Sequence, residues 1–194
     1  NVGSYAAKFL HEYGCKIIGV SDISGGLYAP DGFDVDELFD YNYEHRTIEG
    51  YQHGKKITNE ELLALECDFL IPAALGSAIN EDNVDSLNCK IIIEAANGPV
   101  TGEAADKLWK KKIAIIPDIL TNAGGVTVSY FEWVQNLQQF KWPEDEINQK
   151  LEQKMVAAFN EVYSVKEKKN VPMRIASFMV AIDRVSTAYN LREG

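Results

Sequence analysis

The stretch "NVGSYAAKFLHEYGCKIIGVSD", from Asn1 to Asp22, decides the fold prediction. A glycine at position 3 is followed by small residues, an amphipathic segment, a β-branched run and an acid. This order is typical of the second half of a dinucleotide-binding βαβ unit, in which glycines at the turn into the first helix let the backbone approach a pyrophosphate. If Gly3 is the third glycine of a G-x-G-x-x-G turn, the first strand and the first two glycines precede Asn1.

Asp22 ends the predicted second strand, close to the offset of about 20 residues at which such units place their ribose-binding acid. A carboxylate there can accept hydrogen bonds from both ribose hydroxyls and would repel a 2′-phosphate. The sequence therefore predicts NAD as the cofactor, with NADP as the alternative. For these residues alone, a structural interpretation is equally good, in which Gly3 only packs the helix and Asp22 only caps a loop.

The composition excludes several other classes of function. The chain has 194 residues, 46% of them hydrophobic, and a formal net charge of −10, which disfavours binding to nucleic acid. The three cysteines form no CxxC pair and the three histidines have no metal-binding spacing, so we expect neither a disulfide framework nor a metal site. No apolar run approaches the roughly 20 residues of a membrane span. We expect a cytoplasmic protein, although Asn1 is not a natural start and mitochondrial targeting stays open.

Short, apolar, non-alternating runs indicate strands that are buried on both faces of a parallel sheet. They lie at residues 16–21 (KIIGVS), 69–71 (FLI), 90–94 (KIIIE) and 113–116 (IAII). Helical segments lie between them: residues 58–65 open with a capping box, Thr58 with Glu61, and residues 101–110 end in a lysine. We predict an α/β fold, a Rossmann-like doubly wound, mostly parallel sheet that lacks its first strand in this chain. An open sheet edge is therefore expected beside residues 16–21.

The last third of the chain predicts two helices that pack on the sheet domain. Pro143 is placed to begin a long helix, because its missing N–H costs nothing there. One apolar stripe then recurs at steps of three and four residues: Ile147, Leu151, Met155, Ala158, Val162 and Val165. Residues 170–172 (NVP) interrupt it, and a second helix runs from about Met173 towards Tyr189. We divide the chain into a dinucleotide-binding domain at 1–140 and C-terminal helices at 141–194.

Three later motifs end predicted strands, where open α/β sheets bind their ligands. They are "DFLIPAALGSAI" (68–79), "IIIEAANGPVT" (91–101) and "IPDILTNAGGVTVSYFEW" (116–133). Together with "SDISGGLYAPDGFD" (21–34), they closely resemble the cofactor-binding domain of glutamate dehydrogenases, a family that also includes leucine, valine and phenylalanine dehydrogenases. The resemblance spans nearly all 194 residues.

The resemblance implies a role for each of several residues. Asp22 corresponds to the acid on the adenosine ribose, and Gly3 to the last glycine of the turn. Small residues and amides line the remaining cofactor path: Ala73 and Ala74 beside the adenine-side ribose and pyrophosphate, Ala96 and Asn97 at the nicotinamide ribose and ring, and Asn122 at the carboxamide or the substrate. Ser129 corresponds to the hydroxyl that binds the substrate's side-chain carboxylate.

The spacing of the third motif agrees in part. If a helix begins near Gly124, then Asn122, Val126, Ser129 and Trp133 share one stripe that starts at its N-terminus, a position that suits an anion. By spacing alone, the better interpretation is that Asn122 caps the helix and Ser129 is a core hydroxyl.

The resemblance also implies a reaction, the reversible oxidative deamination of glutamate to 2-oxoglutarate and ammonia, and a homo-hexamer. The family's catalytic lysine and aspartate belong to a substrate domain that no segment here resembles. We therefore assign no catalytic residue to this chain and expect it to be inactive alone. Two alternatives stay open: a leucine, valine or phenylalanine dehydrogenase, against which Ser129 speaks, and a non-catalytic module that senses a dinucleotide.

Overall fold

The computed structural model describes residues 2–193, and within them it contains eight helices and six short strands. The first elements are α1 (Val2–Glu12), β1 (Gly19–Asp22), β2 (Gly25–Tyr28), α2 (Val35–His45), β3 (Lys55–Ile57), α3 (Asn59–Leu63) and β4 (Cys67–Leu70). They are followed by β5 (Cys89–Ile93), α4 (Gly102–Lys110), β6 (Ala114–Ile116), α5 (Asp118–Thr121), α6 (Ala123–Gln138), α7 (Glu144–Lys169) and α8 (Met173–Glu193). The predicted mixed α/β class is confirmed.

The chain divides into two compact units, Asn1–Ile113 and Ala114–Gly194. The functional division at 140/141 stays a prediction. Asn1, which the sequence places in the glycine turn, lies outside the described residues. None of the helices between residues 2 and 193 combines the length and the apolar character needed to cross a bilayer.

Strands β4 and β5 form the parallel pair that the sequence predicts, in a register that sets Cys67 opposite Cys89 and Leu70 opposite Ile92. Ile92 is fully buried, as is Leu108 of α4. The capping box of α3 is present, since the Thr58 hydroxyl accepts from the Glu61 N–H and the Glu61 carboxylate accepts from the Thr58 N–H. The apolar runs therefore located these elements to within a few residues.

The prediction for residues 16–21 is wrong in its pairing. The strand lies at Gly19–Asp22 and runs antiparallel to β2, which in turn runs antiparallel to β3. Strand β2 begins with two glycines, and a Cβ on Gly26 would lie 3.0 Å from the Ile57 side chain, so the close packing between β2 and β3 favours a glycine there. Within residues 2–193, β1 pairs with no strand but β2, and one edge of it is open, as predicted.

Helix α2 was missed, although its first residue follows a clear cap. The Asp34 carboxylate accepts a hydrogen bond from the Glu37 N–H, which satisfies one of the unpaired donors at the helix start. Val35 and Leu38 bury this helix in a core with Leu27 and Phe33. The first unit thus contains a packed helix in a stretch to which the sequence analysis assigned no element.

The second unit contains the two predicted C-terminal helices. Pro143 stands at the N-cap position of α7, and Asn170, in the left-handed conformation at φ 50°, ends it. Val162, from the predicted apolar stripe, is buried against α8. The core of this unit is formed by Leu120, Val162, Met173, Ala176 and Val180.

Candidate functional site

The loops that follow β4 and β5 are joined at the carboxyl ends of the two strands. The N–H groups of Ala95 and Ala96 both donate to the carbonyl oxygen of Pro72, over 3.1 and 2.9 Å. Because Ala73 and Ala74 follow Pro72 directly, this forked contact sets them beside Ala96. Ala96 is buried and Ala74 is exposed, so the junction has a solvent-facing side.

A second set of main-chain contacts holds Asn97 against the same loop. The Ser77 N–H donates to the Gly98 carbonyl oxygen over 2.8 Å, and the Ile79 N–H donates to the Pro99 carbonyl oxygen over 2.9 Å. A Cβ on Gly76 would lie 3.2 Å from the Asn97 carbonyl oxygen, so this approach is close enough to favour a glycine. Asn97 is exposed at this junction.

The first turn of α1 reaches the junction as well. A Cβ built on Gly3 would lie 3.4 Å from the Cβ of Ala73, an ordinary van der Waals contact. The positive end of an 11-residue helix therefore lies at the loop after β4, in the arrangement that helices use to receive anions. The structure thus brings together five predicted residues of the first unit: Gly3, Ala73, Ala74, Ala96 and Asn97.

Asp22 is the centre of a separate hydrogen-bond network. Its Oδ1 accepts from the N–H of Ser24 over 2.7 Å and from the Ser24 hydroxyl. Its Oδ2 accepts from the Thr47 hydroxyl and from the Ile48 N–H, both over 2.8 Å. The carboxylate therefore ties the turn after β1 to the segment after α2, which is the loop-capping role that the sequence offered as the structural interpretation.

The same network fixes the charge of Asp22. Burial raises the pKa of this carboxyl, but the Ser24 hydroxyl, the Ile48 N–H and the Thr47 hydroxyl all favour the ionised form. The hydrogen bonds outweigh the burial, and the pKa of Asp22 lies below its ordinary value. Asp22 is therefore an anion at neutral pH.

In the second unit, α6 begins at Ala123, one residue before the predicted start. Asn122 stands at its N-cap position, but its side chain makes no capping hydrogen bond. Ser129 is exposed, so it is not the core hydroxyl of the structural interpretation. The hydroxyl of Thr127, two residues earlier, is committed to the Ala123 carbonyl oxygen at 2.8 Å.

Three polar residues in or near the candidate site were missed by the sequence analysis. Glu94 directly follows β5 and is fully buried beside Ala95, and its position in "IIIEAANG" was a usable signal. Ser24 and Thr47 reach Asp22 from two segments to which the sequence analysis assigned no helix or strand, and nothing in the local pattern marks them. Between residues 2 and 193, no three His, Cys, Asp or Glu side chains gather as metal ligands would.

Parallel strands whose following loops converge with a helix N-terminus define an α/β protein of the open-sheet class, in which ligands bind at the carboxyl ends of the strands. Comparison with known proteins identifies the family. The chain belongs to the Glutamate/Leucine/Phenylalanine/Valine dehydrogenase family, whose sequence profile matches residues 1–193.

Individual relatives agree with that family. The chain is 52% identical over 193 residues to glutamate dehydrogenase of Thermotoga maritima, and 46% identical over 192 residues to the cryptic catabolic NAD-specific glutamate dehydrogenase of Bacillus subtilis. Each alignment covers 99% of this chain but only 46% and 45% of those relatives, so the chain spans about half their length.

Solved structures show the same relationship. Glutamate dehydrogenase of Peptoniphilus asaccharolyticus superposes with a TM-score of 0.81 at 34% identity, over 98% of this chain and 44% of that one. The hetero-hexameric glutamate dehydrogenase of Thermus thermophilus superposes with a TM-score of 0.91 at 28% identity, over 98% of this chain and 45% of that one.

Proposed function

We propose that the protein is an NAD-dependent glutamate dehydrogenase, which catalyses the reversible oxidative deamination of glutamate to 2-oxoglutarate and ammonia. In this proposal, the chain supplies the dinucleotide site. The observation that carries it is the convergence of Gly3, Ala73, Ala96 and Asn97 at the carboxyl ends of β4 and β5. The names of the relatives support it, since the Thermotoga protein is a glutamate dehydrogenase and the Bacillus protein is specific for NAD.

The residues present fit a dinucleotide. Gly3, Ala73 and Ala74 have little or no side chain, so the backbone and the first turn of α1 are accessible to a pyrophosphate. Asn97 offers an amide at the exposed side of the junction for the nicotinamide end. NAD bound there would supply the hydride acceptor of the reaction, and the chain's own residues would bind it and orient its nicotinamide ring.

Asp22 can bind the adenosine ribose if two of its present hydrogen-bond donors are displaced. A carboxylate offers about four lone-pair sites, and Ser24, Thr47 and Ile48 fill them. Two of these donors are hydroxyls, which can rotate without moving the backbone, and two are main-chain N–H groups, which keep the carboxylate in place. We infer that the ribose hydroxyls replace the hydroxyls of Ser24 and Thr47.

The second unit would contribute to substrate binding. In the proposal, Ser129 donates its hydroxyl to the far carboxylate of glutamate, and Asn122 reaches the carboxamide or the substrate from the N-terminus of α6. Asn122 stands at the N-terminus of α6, which favours negative charge, and Ser129 lies in the second turn of the same helix. The catalytic lysine and aspartate that the resemblance implies would come from outside this chain. We propose a cytoplasmic homo-oligomer; the hetero-hexameric Thermus relative supports assembly into an oligomer.

An amino-acid panel tests the proposal with the protein at its natural length. We expect kcat/KM for NAD reduction to be higher with glutamate than with leucine, valine or phenylalanine by roughly 10-fold or more, since a site built to bind a carboxylate rejects side chains that lack one. Preference for one of the other three would make the protein that kind of dehydrogenase. NAD binding without oxidation of any amino acid would indicate a dinucleotide-sensing module.

A further inference from the structure

Two of the three cysteines lie directly opposite each other on the parallel strand pair. The register of β4 and β5 pairs Cys67 with Cys89 at the amino ends of both strands. Paired residues of neighbouring strands lie about 4.8 Å apart and point to the same face. A disulfide needs a Cα separation of roughly 4.4 to 6.8 Å, and the separation expected for this strand pair lies within that range.

We propose that Cys67 and Cys89 form an intramolecular cross-strand disulfide when the protein meets a small-molecule disulfide as oxidant. Cys67 is half-buried and Cys89 is buried, so Cys67 reacts first. Its thiolate attacks one sulfur of the oxidant, which releases one small thiol and leaves a mixed disulfide. Cys89 then attacks the Cys67 sulfur and releases the second small thiol. Together the two cysteines lose two electrons, the oxidant gains them, and both protons end on the released thiols.

The surroundings explain why both cysteines are thiols in the resting protein. Burial raises the pKa of Cys67, and the charge of Asp68 raises it further. Burial, together with the neighbouring Cys67, raises the pKa of Cys89 to about 11. The Lys90 ammonium is already paired with Asp68 at 2.6 Å across the strands. Thiol–disulfide exchange at Cys67 is therefore slow at neutral pH. Once a mixed disulfide has formed at Cys67, the strand pairing holds the Cys89 thiol beside it.

The bond would act on the loop that carries part of the candidate site. It closes residues 67–89 into a ring, and this ring contains Ala73 and Ala74 at the opposite end of β4. Closing a ring of this size constrains the unfolded chain, so the oxidised protein is expected to unfold at a higher temperature, by roughly 5 °C or more. The inference does not depend on the proposed reaction.

Peptide mapping tests the proposal on the protein at its natural length. The protein is incubated with oxidised glutathione, its remaining thiols are alkylated, and it is digested without reductant. We expect one linked peptide pair that joins Cys67 to Cys89, and we expect it in a Cys15→Ser variant as well. The pair should be absent from Cys67→Ser, and the rise in unfolding temperature should disappear with it.

Three results would overturn the proposal. The first is a mixed disulfide with glutathione at Cys67 that never closes onto Cys89. The second is a linkage that involves Cys15, and the third is a linked pair with no change in unfolding temperature. Because the mapping is carried out on the unsubstituted protein, a misfolded variant does not prevent a decision.

Discussion

Replacing Ser129 with alanine is expected to lower kcat/KM for glutamate by about 10- to 100-fold. The substitution removes one hydroxyl donor from a substrate carboxylate that is desolvated in the complex, at a cost of roughly 1.5–3 kcal/mol. At about 1.4 kcal/mol per tenfold, this gives the stated range. Norvaline and norleucine lack the carboxylate, so their kcat/KM should change far less. Steady-state kinetics with the protein at its natural length measures all of these values.

Thr127 provides a matched control on the same helix. Its hydroxyl already donates a hydrogen bond to the Ala123 carbonyl oxygen, so Thr127→Val should not change the ratio of kcat/KM values for glutamate and norvaline. If Ser129→Ala lowers kcat/KM for both substrates equally, Ser129 has a structural role. If it lowers kcat/KM for neither, the substrate carboxylate is held by other residues.

The second large effect is expected at Asp22. Asp22→Ser should narrow the preference for NAD over NADP by roughly 1–3 kcal/mol, or about 5- to 150-fold in the ratio of kcat/KM values. The change removes a charged acceptor for the ribose hydroxyls and a repulsion against a 2′-phosphate.

Two further variants separate this effect from loss of folding. Asp22→Asn keeps the shape of the side chain and its acceptor for the Ile48 N–H, so it should shift the preference in the same direction with less damage to the loops. Asp36→Ser removes an exposed carboxylate of α2 outside the Asp22 network and should leave the preference unchanged. An unsubstituted enzyme that uses NADP as well as NAD would refute the role of Asp22.

The elements that could be predicted are those encoded by a local sequence pattern. Strands β4 and β5 follow from short apolar runs, and α7 follows from a stripe at helical spacing that begins after Pro143. The antiparallel sheet was missed because β2 contains two glycines, which have low strand propensity and mimic a loop. Strand β2 is stabilised by pairing with β1 and β3 and by packing against Ile57. Neither contact can be read from the few residues around β2 in the sequence.

The candidate site divides in the same way. Ala73, Ala96 and Asn97 follow strands, and parallel strands bring their carboxyl ends to one edge, so their proximity could be predicted. The surroundings of Asp22 could not be predicted, since Thr47 reaches it across 25 positions of sequence. The sequence left open whether Asp22 caps a loop or binds ribose, and the structure shows that it caps two segments through donors of which half can rotate away.

A crystal structure of the natural-length protein with NAD tests the central claim most directly. The account predicts that the adenosine ribose hydroxyls lie within hydrogen-bond distance of the Asp22 carboxylate, in place of the hydroxyls of Ser24 and Thr47. It also places the pyrophosphate at Gly3 and Ala73. A dinucleotide bound elsewhere, or one whose ribose does not contact an Asp22 that still holds all four of its present donors, would contradict the account.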